Sequence, residues 1–113
     1  MAFLVYDRCL STLKTLKPLL DQVRRHDRSL ADQMQRAAQS TFLNIAEAQS
    51  ARGKNKAAKL QVALGESREA RAALRLSVAW GYVRESDSAT VDDALDQLAA
   101  MLWVLMHRPS RCA

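Results

Sequence analysis

The chain has 113 residues, 49% of them hydrophobic and 26% charged, which is the composition and length of one globular domain. This length excludes a multidomain enzyme, and the modest core that so short a chain can bury makes association between copies advantageous. Lysine and arginine number 17 against 12 aspartates and glutamates, and the resulting net charge of +5 permits binding to phosphate polymers or anionic surfaces.

The composition favours long helices. Alanine and leucine together supply 35 residues, whereas valine, isoleucine and threonine together supply 12. Three glycines and two prolines leave room for few turns, so the elements that they separate must be long. A helical bundle has these properties.

Apolar residues recur at steps of three and four in the first half of the chain, which predicts two helices over residues 3–23 and 28–51. The polar residues 24–27 separate them. Asp27 or Ser29 can cap the second helix, because either side chain can accept a hydrogen bond from a free backbone N–H.

The second half of the chain predicts two further helices, over residues 55–80 and about 87–107. Gly53 marks the end of the second helix, Asn55 can cap the third, and Gly81 stops it. Gly65, inside the third helix, predicts a close approach to a neighbouring helix. Connections this short force neighbouring helices to run antiparallel, so we expect an all-α, up-down-up-down four-helix bundle that forms one domain over residues 1–113.

The sequence offers no basis for catalysis, metal binding or membrane insertion. His26 and His107 have no partner at metal-ligand spacing, and no phosphate-binding loop or nucleophile motif occurs, so no enzyme, metal or cofactor is expected. The first residues lack the features of a signal peptide, and no apolar segment is long enough to span a membrane. Cys9 and Cys112 are isolated thiols, which favours the reducing cytoplasm.

A polar ladder follows one side of the second predicted helix. Its members recur at steps of three and four: Arg36, Ser40, Asn44 and Glu47. They form either a solvated flank or a hydrogen-bonded network at a helix or subunit junction. Serine and asparagine are weak choices for an exposed helix interior, which is the argument for a network. Both alternatives stay open.

Some apolar residues lie outside the stripes that a four-helix core needs. Trp103 and Val104 point away from the apolar stripe of the fourth helix, and Leu43 lies off the stripe of the second. We expect these three residues to contact other copies of the chain in a homo-oligomer. Loose packing beneath the chain termini is the alternative.

Positive charge is concentrated before the last helix and near the turns. Residues 1–83 carry 14 basic and 7 acidic side chains, a net charge of +7, whereas residues 84–113 carry 3 and 5, a net charge of −2. Groups of arginines and lysines bind phosphate oxygens without reading sequence, which makes these turns candidate nucleic-acid sites. The alternative is that these side chains serve solubility only. The candidate residues are Arg24, Arg25 and Arg28 at the first turn and Arg52, Lys54, Lys56 and Lys59 at the second, and they are expected at opposite ends of the bundle.

Four short motifs and one glutamate resemble a bacterial family of four-helix bundles encoded in intervening sequences of 23S ribosomal RNA genes. The resemblance covers about residues 30–105, and the accessory variability determinant of diversity-generating retroelements is a relative of this family. The matching residues are QRAAQS at 35–40, NIAE at 44–47, ALG at 63–65, Glu69, and WGYV at 80–83.

This resemblance implies a homopentameric ring without enzymatic activity, and it makes the polar ladder the signature segment of the family. It also implies partners by analogy, since the retroelement relative binds nucleic acid and a reverse transcriptase. Taken together, the sequence predicts a non-enzymatic oligomeric bundle that binds structured RNA or DNA through basic patches, without sequence specificity. The alternative is a protein-interaction scaffold or accessory subunit that does not bind nucleic acid directly.

Overall fold

The computed structural model describes residues 4–108, and all regular secondary structure in this range is α-helical, as predicted. One, two and five residues join successive helices, so neighbours run antiparallel. Each helix packs against the next, and the last packs against the first, which gives an up-down-up-down order. The helices are α1 (Leu4–His26), α2 (Arg28–Ser50), α3 (Gly53–Ala79) and α4 (Glu85–His107).

The α1–α2 turn is shorter than the sequence predicts, since α1 continues three residues beyond residue 23. Arg24, Arg25 and His26 form its last turn, where positive charge is favourable next to the negative end of the helix dipole. Only Asp27 separates the two helices. It has an extended backbone, and its carboxylate accepts a hydrogen bond from the Leu30 N–H at 3.0 Å, so Asp27 rather than Ser29 caps α2.

Two expectations for α3 are wrong. The helix begins at Gly53 with Arg52 as its N-cap, so Asn55 lies inside the first turn and does not cap it. A Cβ atom built on Gly65 would meet nothing within 4 Å, and Gly65 therefore does not mark a close helix approach. Periodicity does not reveal on which side of a helix a glycine lies, and Gly65 is on the exposed side.

Gly81 ends α3 through a hydrogen-bonded C-terminal cap. It has a left-handed φ of 79°, which glycine adopts without strain. The N–H groups of Gly81 and Tyr82 donate to the carbonyl oxygens of Val78 and Ser77, both at 2.9 Å, which is the Schellman pattern. α4 then begins at Glu85, two residues earlier than expected.

Two apolar clusters fill the bundle, one towards each end. The cluster near the α1–α2 turn is built around Val23, Met34 and Leu74, which are fully buried. The cluster near the α2–α3 turn contains Ile45 and Cys9. Burial raises the pKa of the Cys9 thiol to about 12, so this thiol is neutral and packs as a small apolar side chain. Phe3 and Cys112 lie outside the described residues.

The core assignment predicts different effects for two leucines on α3. Leu74 is fully buried and Leu76 is 43% exposed. Leu74→Ala should lower the free energy of unfolding by about 2–5 kcal/mol, because it removes buried methyl groups and leaves a cavity. Leu76→Ala should lower it by less than about 1 kcal/mol. Urea unfolding at one fixed protein concentration measures both, and equal losses would contradict the packing of α3.

Candidate functional site

The seven candidate basic residues form two separate clusters. α2 connects the two turns, and its 23 residues span about 34 Å at 1.5 Å per residue. The clusters therefore lie at opposite ends of the bundle and cannot form one continuous surface. We call Arg24, Arg25 and Arg28 the first-turn cluster, and Arg52, Lys54, Lys56 and Lys59 the second-turn cluster.

Two arginines of the first-turn cluster have no acidic partner among residues 4–108. Arg24 is held within the protein, because its guanidinium donates to Asp32 Oδ1 and to Gln35 Oε1, each at 2.6 Å. Arg25 and Arg28 are exposed, and neither forms an ion pair with any residue between 4 and 108. These two guanidinium groups are therefore available to a phosphate in solution.

The second-turn cluster is divided in a similar way. Lys59 Nζ lies 3.3 Å from Glu47 Oε1, and both side chains are about half exposed. Lys56 is partly buried. Arg52 and Lys54 are exposed and have no ion pair within the described part of the chain, so they are the available cations at this end.

The polar ladder lies along the junction between α2 and α3. Arg36 Nη2 lies 3.9 Å from Glu69 Oε1, and Glu47 pairs with Lys59, so both ends of the ladder reach α3. In the middle of the ladder the hydrogen bond stays within α2, because Asn44 Nδ2 donates to the Ser40 carbonyl oxygen at 2.8 Å. The Arg36 side chain is still 63% exposed, and the ladder combines a helix junction with a solvated flank.

Two carboxyl groups meet beside this junction. The pKa of Glu69 is raised, mainly by a hydrogen bond with the Glu66 side chain and further by desolvation and by repulsion from Glu66, whereas Arg36 lowers it. The proximity of the two glutamates weakens the attraction between Glu69 and Arg36.

Sequence reasoning missed a salt-bridge network between α3 and α4. Arg71 donates from Nε and Nη2 to both oxygens of Asp92, and from Nη1 to Asp96, all at 3.0 Å. The hydrogen bond from Arg71 is the main cause that lowers the pKa of Asp92. Acidic residues spaced by four on α4 were the available signal, since this spacing places both on one face. α4 thus neutralises a cation of α3.

The three candidate oligomer contacts are exposed but lie apart. Leu43 on α2 is 57% exposed, and Trp103 and Val104 on α4 are 49% and 50% exposed. Trp103 stacks on His107 with ring centroids 3.9 Å apart, and with Val104 it lines a groove between α3 and α4. α2 and α4 are diagonal helices in the bundle, so Leu43 belongs to a different face.

The α3–α4 connection packs against the α1–α2 turn. The Tyr82 ring stacks on His26 with centroids 5.1 Å apart and planes 7° apart, and Tyr82 Oη donates to Asp27 Oδ2 at 3.4 Å. Trp80, in the same connection, is 65% exposed. Sequence reasoning used both aromatic residues only as part of a family resemblance and did not assign them to this surface.

A family model described as 23S rRNA-intervening sequence protein matches residues 3–104. The chain belongs to this family. No curated protein matches the chain. A solved structure from Bacteroides thetaiotaomicron VPI-5482 is similar, with a TM-score of 0.81 and 20% sequence identity over 91% of this chain and 98% of that one. It is described as a protein of unknown function from the S23 ribosomal protein family, and at this identity it supports the fold alone.

In this member of the 23S rRNA-intervening sequence family, the described residues give no metal-binding group. No cluster of three His, Cys, Asp or Glu side chains between residues 4 and 108 could hold a metal ion. No helix in the same range is long and apolar enough to cross a membrane. The surface features that the structure presents are the two basic clusters, the ladder, the exposed apolar residues and the Trp80 connection.

The Arg71 network predicts a pH dependence of stability. The pKa of Asp92 is lower in the folded protein, so its contribution is present above the unfolded value of about 4 and is lost as the pH falls through the folded value. Asp92→Asn should lose less stability than the wild type on acidification below about pH 4. Thermal unfolding across pH measures this, with Asp93→Asn as a control that removes an exposed carboxylate not bonded to Arg71. Parallel profiles for Asp92→Asn and wild type would contradict it.

Proposed function

We propose that this protein is a non-enzymatic, homo-oligomeric bundle that binds structured RNA or DNA through its basic clusters, without reading sequence. The observation that carries the proposal is that Arg25 and Arg28 are exposed and have no acidic partner in the described part of the chain. Arg24, in the same cluster, is neutralised by Asp32. Two free guanidinium groups beside one turn favour a polyanionic ligand.

Self-association would strengthen this binding. Each copy adds a net charge of +5, so several modest phosphate contacts in one assembly give a high combined affinity. The exposed apolar side chains of Leu43 and Trp103 lie on different faces, and a ring in which each copy contacts two neighbours covers both. The pentamer implied by the sequence resemblance is such a ring, and we adopt it as part of the proposal.

A protein-interaction scaffold or accessory subunit in the cytoplasm is the second candidate. The groove between α3 and α4 favours it, because Trp103 and Val104 offer apolar contact beside the charged Arg68 and Arg71. In that case the groove binds a different protein and the basic clusters are incidental. A reverse transcriptase is a candidate partner only by analogy with the retroelement relative.

Charge reversal at the first turn tests nucleic-acid binding. Arg25→Glu/Arg28→Glu should weaken binding of a structured RNA at least about tenfold at low salt and should reduce the slope of log affinity against log salt by about 2. The control is Lys14→Glu/Lys17→Glu, which changes the net charge equally on exposed residues within α1. Because Lys17 pairs with Asp21, circular dichroism verifies that this variant is folded. Fluorescence anisotropy across a salt series measures both variants.

The same titrations separate the candidates. Arg52→Glu/Lys54→Glu reports how much the second-turn cluster contributes. Failure of the wild-type protein to bind at low salt, or binding that does not depend on salt, would contradict nucleic-acid binding through the clusters. Equal losses in the first-turn variant and in the Lys14/Lys17 control would assign binding to total charge rather than to this turn.

The oligomer contact can be tested independently. Trp103→Gln/Val104→Gln should lower the mass in solution, because it removes exposed apolar surface while keeping residues that favour a helix. Leu76→Gln, an exposed apolar residue of α3, is the control. Light scattering after size exclusion gives the mass, and circular dichroism verifies the fold. A wild-type monomer, or an unchanged mass in the double variant, would contradict this contact.

A further inference from the structure

We infer that the end of the bundle with the first-turn cluster holds an unpaired base of a single-stranded nucleic acid. In this site the Trp80 indole stacks on the base, while Arg25 and Arg28 contact the flanking phosphates. The inference rests on the proposed nucleic-acid binding and adds the class of ligand that this end selects. It follows from three observations on Trp80, its neighbours and the local charge.

The Trp80 ring is exposed on a fixed backbone. It is 65% exposed, the highest value among the large apolar side chains of residues 4–108. The backbone N–H of Trp80 donates to the Leu76 carbonyl oxygen at 2.9 Å, and the Gly81 cap follows directly, so the end of α3 determines the position of the Trp80 Cα. No described aromatic ring stacks on it, which leaves the indole available to an external partner.

The packing of Tyr82 brings Trp80 to the same end as the free arginines. Tyr82 stacks on His26, which directly follows Arg25 and lies two residues before Arg28. Trp80 is two residues from Tyr82, so their Cα atoms lie within about 8 Å. Trp80, Arg25 and Arg28 are therefore each within two residues along the chain of one member of the Tyr82–His26 pair. Basic side chains around an exposed aromatic ring are typical of sites for single-stranded nucleic acid.

Two of the carboxylates at this end, Asp27 and Asp32, have partners within the protein. Asp32 pairs with Arg24, and Asp27 accepts hydrogen bonds from Leu30 and Tyr82. Glu85 and Asp87 occupy the first turn of α4, where the positive end of the helix dipole favours them. These two exposed carboxylates lie on the α4 side of this end, whereas Arg25 and Arg28 lie on the α1–α2 side, and that side offers the path for phosphates.

Neither of the other candidate surfaces combines these properties. The second-turn cluster has exposed cations, but residues 51–59 contain no aromatic side chain. Trp103 stacks on His107 at 3.9 Å, so this contact already covers part of its ring. The Trp80 end alone among these surfaces can contact phosphates and also stack an aromatic ring on a base.

This combination favours an unpaired base over a duplex. Each base inside a duplex is stacked between its neighbours, so its flat face is out of reach of a protein side chain. A base in a loop, bulge or single strand exposes that face, and stacking on an aromatic side chain does not depend on base identity. The site therefore distinguishes unpaired bases from bases in a duplex and does not distinguish one base from another.

The test compares single-stranded and duplex probes on the full chain. Trp80→Ala should weaken binding of an oligodeoxythymidylate of about 16 nucleotides roughly tenfold and should change the affinity for a duplex of equal length by less than about twofold. Trp80→Phe keeps an aromatic face and should retain most of the single-strand affinity. Leu76→Ala, which trims an exposed apolar side chain one turn earlier, is the matched control.

Fluorescence gives a direct readout of contact. Trp80 and Trp103 are the two tryptophans of the chain, so Trp103→Phe leaves Trp80 as the only indole. The oligodeoxythymidylate should quench its emission, and the duplex should quench it much less. The difference in quenching between the two probes reports stacking on Trp80 even if the affinity of a variant for a probe changes for other reasons.

The outcomes distinguish this inference from the proposed function. If the wild type binds both probes and Trp80→Ala affects them equally or not at all, the stacking site is wrong while nucleic-acid binding stands. The absence of quenching by a bound oligodeoxythymidylate overturns the stacking site in the same way. If the wild type binds neither probe at low salt, both proposals are wrong.

Discussion

The reversal of the chain at Asp27 fixes the geometry of one end of the bundle. Two helices of 23 residues meet across this single residue, so α1 and α2 have to be antiparallel neighbours. One oxygen of its carboxylate accepts the Leu30 N–H, and the other accepts the Tyr82 hydroxyl. The cap of α2 is therefore also the point at which the α3–α4 connection is held. The relative placement of Arg25, Arg28 and Trp80 depends on it.

The helices were predictable because burial leaves a periodic signal in the sequence. Val91, Leu95 and Leu98 are all buried at the spacing that one face of a helix requires. Helix ends leave a weaker signal. The polar residues 24–26 suggested a break but continue α1, because helical geometry tolerates exposed polar side chains. Asn55 suggested a cap, yet Gly53 with a φ of 58° starts α3 earlier. Apolar periodicity contains no information on either choice.

The positions of the candidate basic residues were predictable from the sequence, but whether each of them is paired with a carboxylate was not. The sequence places basic residues at both turns, whereas their availability depends on which carboxylates the neighbouring helices present. Arg24 meets Asp32 and Lys59 meets Glu47, and both pairings depend on the rotation of α2 about its axis. Arg71 is a similar case, because its partner Asp92 is 21 residues away on another helix. Counting charges along a sequence does not distinguish a basic side chain that is paired with a carboxylate from one that is unpaired.

Charge and apolar exposure are arranged so that two kinds of contact can coexist. The exposed cations of the two clusters lie at the ends of the bundle, while Leu43 and Trp103 are exposed on its sides. Association of copies along their sides would bury the apolar residues and leave the end with Trp80 open. It would also align the first-turn arginines of successive copies around one rim. Phosphates would then meet a repeated row of guanidinium groups, which is the geometry in which weak individual contacts give strong binding.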